Sequence, residues 1–207
     1  MTVAVTGPFA SGKSTFVRML GELGAETVSA DDLVHRLLAC DPETIARVVE
    51  RFGKEVLGER GIDRRRLGER VFGDREALRE LEGILHPLVR REIERRISSS
   101  RAPVFVAEIP LLFEGTGREG FDYTVAVVTP EERRRGWAAE RGVGEERFRA
   151  IEGRQLSAEE KARLADLVVE NGGSLDRLRE QARALWEKVL AERGSGGSTR
   201  EEEGRGG

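Results

Sequence analysis

Two spacings of apolar residues alternate along this chain. Short runs rich in apolar and β-branched residues stand at TVAVT (2–6), ETVSA (26–30), PVFVAEI (103–109), YTVAVV (123–128) and DLVVEN (166–171). Such runs, without strict polar alternation, predict strands buried on both faces. Between them the hydrophobics return every three or four residues. Phe16, Val17, Met19 and Leu20 follow Lys13, a second helical stretch runs from Leu33 to Leu38, and PETIARVVERF opens on a proline suited to a first turn. Leu67, Val71, Leu78, Leu81, Leu85, Leu88 and Ile93 form the stripe of a helical run from Arg64 to about Ser98, which Pro87 is expected to bend or break. Thr129 is expected to cap the helix after the fourth strand, with Pro130 at its first position and Glu132 in the capping-box place. Ser174 is expected to cap a long amphipathic helix, 174–193. Strands alternating with helices predict an α/β fold built on a doubly wound parallel five-stranded sheet. Residues 194–207, GSGGSTREEEGRGG, contain nothing apolar and predict a disordered tail after a single domain spanning 1–193.

Composition narrows the function. Hydrophobic residues make up 38% and charged residues 35% of 207, with a net charge of -3, so a dedicated nucleic-acid binder is not expected. Cys40 is the sole cysteine, which excludes an internal disulfide and a cysteine-based zinc cluster. No apolar run approaches the roughly 20 residues of a membrane span, and no basic segment precedes the first strand. A cytoplasmic protein without membrane or nucleic-acid partners is expected.

The first bend carries the strongest chemistry. GPFASGKST follows a strand and opens a helix, and it fits G-x-x-x-x-G-K-[ST] from Gly7 to Ser14. Backbone N–H groups at such a helix start wrap a phosphate, and glycines let them approach it. Gly7, Ala10, Ser11, Gly12, Lys13, Ser14 and Thr15 are therefore expected to hold nucleoside triphosphate, with Lys13 on the β/γ-phosphates and Ser14 on Mg²⁺. Lysine is otherwise scarce, standing only at 13, 54, 161 and 188. Guanine recognition through an Asn-Lys-x-Asp element is disfavoured, because the one asparagine is Asn171, followed by Gly172.

Other residues fit a small kinase, each with a plainer alternative. Asp31 and Asp32 follow the second strand at the carboxyl edge of the sheet, where ligands of open α/β sheets sit. They suit either proton acceptance from an acceptor hydroxyl or a helix N-cap. Glu108 ends the third strand, near Mg²⁺ through water or simply solvated. Pro110, Leu111, Leu112 and Phe113 form an apolar loop for an organic acceptor or for core packing. Arg133, Arg134, Arg135 and Arg141 cluster after the fourth strand as a phosphate lid or a solvated face. His86 reads as a packed or capping histidine.

In order, these elements resemble the dephospho-CoA kinase family, from Thr2 to about Leu190. VSADDLVHRL carries Asp31 at the place of the family's catalytic aspartate. IDRRRLGERVF places Arg64, Leu67, Val71 and Phe72, and LEGILHPLV places His86 and Pro87. EIPLLFE matches a P-L-L-F-E loop ending at Glu114, and RAIEGRQLSAEEKARLADLVVEN spaces Gln155, Lys161, Ala165, Asp166 and Asn171. Five positions depart from the family: Pro8 and Ala10 replace loop glycines, Ser29 replaces the first aspartate of a pair, and Arg134 and Trp137 stand where the family often has Gln and Arg. Arg141 is the best-matched lid arginine and Arg134 a stand-in, beside Trp137.

The resemblance implies a P-loop NTPase fold with a helical acceptor-binding insertion at about 33–100 and a helical lid at about 130–155. It implies ATP-dependent phosphorylation of the ribose 3′-hydroxyl of dephospho-CoA to give CoA and ADP, the last step of coenzyme A synthesis. In that reading Asp31, Lys13 and Arg141 are catalytic. Arg64, His86, Leu111, Leu112 and Phe113 join Asp31 on the acceptor, Ser14 and Glu108 serve the metal, and Asn171 lies by the adenine. The protein is expected to act as a monomer or weak oligomer. Two alternatives remain at this stage, another small-molecule P-loop kinase and a nucleotide-gated binding protein.

Overall fold

The computed structural model describes residues 1–115 and 118–196. By contact the chain falls into two compact units, one formed by residues 1–27 with those from 99 onward, the other by residues 28–98.

One sheet has the strands β1 (Thr2–Thr6), β2 (Glu26–Ser29), β3 (Phe105–Glu108), β4 (Tyr123–Val128) and β5 (Leu167–Glu170), in the order β2-β3-β1-β4-β5, and all of it but the last two residues of β2 belongs to the first unit. β1 lies at the centre, parallel to β3 with Val5 opposite Glu108 and parallel to β4 with Thr6 opposite Ala126; β4 and β5 are also parallel. Because β1 has a strand on each side and is buried on both faces, its sequence is apolar without alternation. Three of the five strands are one to three residues shorter than their hydrophobic runs: Ala30 already starts a helix, Pro103, Val104 and Ile109 lie outside β3, and Asp166 and Asn171 lie outside β5.

Against one part of the sheet pack α1 (Lys13–Glu22) and the C-terminal α9 (Leu175–Gly196). Phe16, Met19 and Leu20 meet Leu178, Ala182, Leu185 and Val189 over Val3, Val5, Val125, Val127 and Val169. The α9 residues recur every three or four positions, which gives the helix one apolar stripe. Burying each of the larger side chains is worth about 1.5–3 kcal/mol, and Phe16 and Leu20 are essentially inaccessible. α9 continues through 194–196, three residues into the stretch expected to be a tail; the rest of that stretch, 197–207, lies outside the described residues.

After β4 come α6 (Glu131–Glu140), α7 (Glu145–Glu152) and α8 (Ala158–Leu164). Ser157 and Glu160 form a full capping box on α8. The box expected at α6 is not formed. Pro130 is the N-cap of that helix without a side-chain bond, and the Thr129 hydroxyl donates instead to the Ser11 carbonyl at 2.9 Å.

In the second unit, α2 (Ala30–Cys40), α3 (Pro42–Phe52), α4 (Arg64–Val71) and α5 (Arg75–Ser99) enclose a separate core of Val48, Phe52, Val56, Leu67, Leu81 and Leu85. Pro42 occupies the first turn of α3 as expected, behind an Asp41 cap that accepts from Thr44 N at 2.8 Å. The run expected to break at Pro87 breaks earlier, at residues 72–74. Gly73 takes φ +82° there, and Asp74 accepts from Glu76 N and Ala77 N to start α5. Helix α5 then continues through Pro87. The proline removes the bond to the Gly83 carbonyl, and with Gly83 and Pro87 both exposed, water can take its place. Among the described residues no helix is long and apolar enough to cross a membrane.

Candidate active site

The loop after β1 is held in one shape by bonds to its carbonyls. Pro8 O accepts from Ser11 N at 3.3 Å and from Lys13 Nζ at 2.9 Å. Phe9 O accepts from Arg134 Nη1 at 3.2 Å, and Ser11 O accepts from both Thr129 Oγ1 and Asn171 Nδ2 at 2.9 Å. A trans peptide points its N–H opposite its C=O. Holding the Phe9 and Ser11 carbonyls toward Arg134, Thr129 and Asn171 therefore turns the Ala10 and Gly12 N–H groups to the other side. Ala10 sits at φ +59°, a left-handed geometry unfavourable for a residue with a Cβ. Gly12 is at φ +85°, a conformation that favours glycine, and a Cβ there would push against the Asn171 amide that holds the Ser11 carbonyl.

Helix α1 begins at Lys13 with no side-chain cap and no acid in its first turn. Its first N–H donors and the positive end of its dipole are thus left for an external anion. Lys13 is buried, and Ser11 Oγ is buried without a partner among the described residues, a further hydroxyl for an anion to satisfy. Thr15 follows, half-buried.

Ser14 Oγ donates to Glu108 Oε1 at 2.8 Å. The register places Glu108 opposite Val5, so the end of β3 and the start of α1 bring a hydroxyl and a carboxylate together at the carboxyl edge of the sheet. Beyond Glu108, Leu112 is buried while Leu111 and Phe113 keep partial exposure. The loop is tied from below: Thr6 Oγ1 donates to Pro110 O at 3.1 Å, and the wholly buried Lys161 donates to the same oxygen at 2.6 Å. Lys161 also pairs with Glu114 at 2.8 Å, and Glu114 accepts from Leu156 N at 2.8 Å.

A cavity of about 390 Å³ opens beside this loop system, lined by Val128, Thr129, Pro130, Gly172, Gly173 and Arg177 among others. Asn171, expected near a base, lies at its edge in sequence, but its side chain is spent on the Ser11 carbonyl.

The arginine cluster divides. Arg141 is exposed at the C-terminal cap of α6, where its backbone N–H donates to Ala138 O at 3.1 Å, and its side chain makes no hydrogen bond or ion pair with any described residue. Arg134, expected as a second lid arginine facing phosphate, is 4% exposed and turned inward to Thr129 O, Phe9 O and Glu152. Its position, facing the Phe148 ring, puts it on the inner side of α6.

Asp31, Arg64 and His86 belong to the second unit. Ser29 is the N-cap of α2, accepting from Asp32 N at 3.3 Å, so neither aspartate is the cap. Both sit exposed in the first helical turn, where negative charge meets the positive end of the dipole. Arg64 opens α4 with Nη1 at 3.4 Å from His35 Nδ1, and His86 is half-buried on α5.

Sequence reasoning counted Lys161 without giving it a task. Its signal was lysine scarcity: of four lysines only Lys13 and Lys161 are buried.

With this geometry, comparison with known proteins becomes specific. The dephospho-CoA kinase family model matches residues 1–177. Dephospho-CoA kinase of Protochlamydia amoebophila is 41% identical over 193 residues, covering 90% of this chain and 95% of the relative. A Thermus thermophilus protein of known structure superposes with TM-score 0.78 at 35% identity, over 91% of this chain and 97% of its own. Dephospho-CoA kinase from Campylobacter jejuni gives TM-score 0.69 at 28% identity, covering 93% and 98%. A P-loop cradle at the centre of a parallel sheet, and a match running through nearly every described element, lead to one statement: the chain belongs to the dephospho-CoA kinase family.

Proposed function

We propose that this chain transfers the γ-phosphoryl group of ATP to the ribose 3′-hydroxyl of dephospho-CoA, with the roles divided as follows. The family reaction is ATP-dependent phosphorylation of dephospho-CoA; the residue assignments are the proposal. The observation that carries them is the loop whose Phe9 and Ser11 carbonyls are held by Arg134, Thr129 and Asn171, next to an α1 start that has no side-chain cap and no acid in its first turn. Lys13 and those N–H groups hold the β/γ-phosphates, and the charge that spreads over the transferring group is met by donors already in place. The adenine lies in the cavity lined by Pro130, Gly172 and Gly173.

Asp31, an exposed carboxylate in the first turn of α2, accepts the proton of the acceptor hydroxyl. Leu111 to Phe113, with Arg64 and His86, bind the acceptor. Arg141 closes over the phosphates, its fork unspent on other described residues. Ser14 and Glu108 fit Mg²⁺: both offer hard oxygens 2.8 Å apart, and Mg²⁺ needs only one or two protein oxygens beside water and phosphate. Mg²⁺, when bound, would neutralise charge between the β- and γ-phosphates. No cluster of three or more acidic, histidine or cysteine ligands occurs among the described residues, so this pair is the site to test.

The test is ADP release in a coupled assay with and without dephospho-CoA, with mass spectrometry of the product. Release that depends on dephospho-CoA and yields CoA supports the proposal. Equal release without acceptor, or transfer only to a nucleoside or sugar acid, overturns it.

A further inference from the structure

We propose that Arg134 is a positioning residue that sets the shape of the phosphate loop. The proposal rests on the reading of that loop as the ATP-phosphate site. Arg133, Arg134 and Arg135 are consecutive on α6, and only the middle one is buried. Burying a guanidinium costs several kcal/mol of desolvation unless every donor is well placed, so its partners indicate what the cost secures.

They are of two kinds. Glu152 Oε1, 2.6 Å from Nη1, supplies the counter-charge from α7. The other two acceptors are backbone carbonyls: Thr129 O at 3.1 Å from Nε, and Phe9 O at 3.2 Å from Nη1. The Phe148 ring lies 5.7 Å from the guanidinium carbon and packs in turn on Phe9, with ring centroids 6.1 Å apart.

Each carbonyl contact acts on one peptide of the loop. Phe9 O shares its peptide with Ala10 N–H, so holding that oxygen outward aims the N–H inward. The constraint is needed there, because Ala10 is the one non-glycine described residue at positive φ and the peptide would otherwise relax. Thr129 O fixes the residue whose hydroxyl donates to Ser11 O, and Ser11 O shares its peptide with Gly12 N–H. One planar fork thereby orients two phosphate-facing donors, the first directly and the second through Thr129. A lysine ammonium has neither the reach nor the planar geometry to serve Nε- and Nη1-type positions together.

Arg134→Lys tests this, with Glu152→Gln as the control that spares both carbonyl contacts. Arg134→Lys should raise the KM for ATP and the Kd for ADP by tenfold or more, while the KM for dephospho-CoA stays within twofold. Glu152→Gln should change ADP affinity less than threefold. If Arg134→Lys binds ADP within twofold of the parent, or if Glu152→Gln weakens it equally, the arginine only packs the lid and the inference is overturned. The unmodified protein gives a second test should Arg134→Lys not fold. In proton–nitrogen spectra the Arg134 Nε–H should exchange slowly with solvent, and the Ala10 and Gly12 amides should shift on adding ADP. An Nε–H that exchanges as fast as that of exposed Arg133 overturns the inference alone. Amides at Ala10 and Gly12 that ignore ADP in the unmodified protein overturn the phosphate-site reading and this inference with it.

Discussion

Replacing Lys161 by methionine isolates the device that holds the loop from Pro110 to Glu114. The side chain is fully inaccessible, its ammonium 2.8 Å from Glu114 Oε1 and 2.6 Å from Pro110 O. Methionine keeps the length and volume but removes the charge and all three donors. Pro110 O retains Thr6 Oγ1 as a donor, so it is not orphaned. Glu114 fares worse, because only Leu156 N would remain on Oε1 and Oε2 is already buried without a hydrogen-bond partner among the described residues. Removing one member of a buried pair costs about 3–5 kcal/mol. At about 2–4 °C per kcal/mol for a chain of this size, the melting temperature should fall by roughly 6–20 °C. Lys161→Met combined with Glu114→Gln should melt higher than Lys161→Met alone, since no uncompensated charge is left inside. At temperatures where the single variant is folded, the coupled assay should show a raised KM for dephospho-CoA with the KM for ATP little changed. A fall of less than 2 °C, or a double variant no more stable than the single one, would refute the reasoning.

Lys13→Ala should abolish turnover while calorimetry still shows one cooperative transition; the hydrogen bond to Pro8 O by itself is worth about 1 kcal/mol, or roughly 2–4 °C of melting temperature. Asp31→Asn should lower kcat by roughly 10²-fold while the helix cap, which Ser29 and not Asp31 provides, is kept; Asp32→Asn should keep most activity, and the reverse result would move the base to Asp32. Burial of Asp166 would raise its pKa, but the Thr124 hydroxyl and N–H with Arg118 outweigh this and hold it below the ordinary value. The stability it lends is complete above the unfolded carboxylate value of about 3.9 and is lost as pH falls through the lower folded-state pKa. Asp166→Asn should therefore flatten the acid limb of a melting-temperature profile below about pH 4, and parallel profiles would contradict the assignment.

What the sequence disclosed was what depends on neighbours along the chain. β4 runs from Tyr123 to Val128 as its apolar run does, and α1 starts at Lys13 where the glycine loop ends. Turn chemistry at Asp41 and Pro42 was equally local. Contacts between distant segments were not readable. Thr129 carries every mark of a capping residue, yet its hydroxyl finds Ser11, 118 positions away. Asn171 reaches the same carbonyl from 160 positions away, and Arg134 meets Phe9 across 125. Charge patterning alone gave no reason to turn one of three consecutive arginines inward. Pro87 misled for a different reason. Its cost depends on whether the Gly83 carbonyl meets water, and this is decided by which face of α5 is exposed.

The choice of basic residue follows from the same geometry. The chain has four lysines among 35 basic residues, and the exposed ones, Lys54 and Lys188, sit where arginine would also serve. The two buried lysines do one task twice. Lys13 donates to the carbonyl of Pro8 just after β1, and Lys161 donates to the carbonyl of Pro110 just after β3, on the neighbouring strand. Each closes a loop at the carboxyl edge of the sheet around a proline, whose fixed φ stiffens the bend and whose missing N–H leaves the carbonyl as its only backbone hydrogen-bonding group. An ammonium suits this place because it is compact, carries three donors and rides on a narrow stem; a guanidinium would need a wider slot and a planar set of acceptors. Thr6, the last residue before the phosphate loop, donates to that same Pro110 oxygen. The loop after β1 and the loop after β3 are therefore joined at one carbonyl, that of Pro110, which Thr6 and Lys161 both bind.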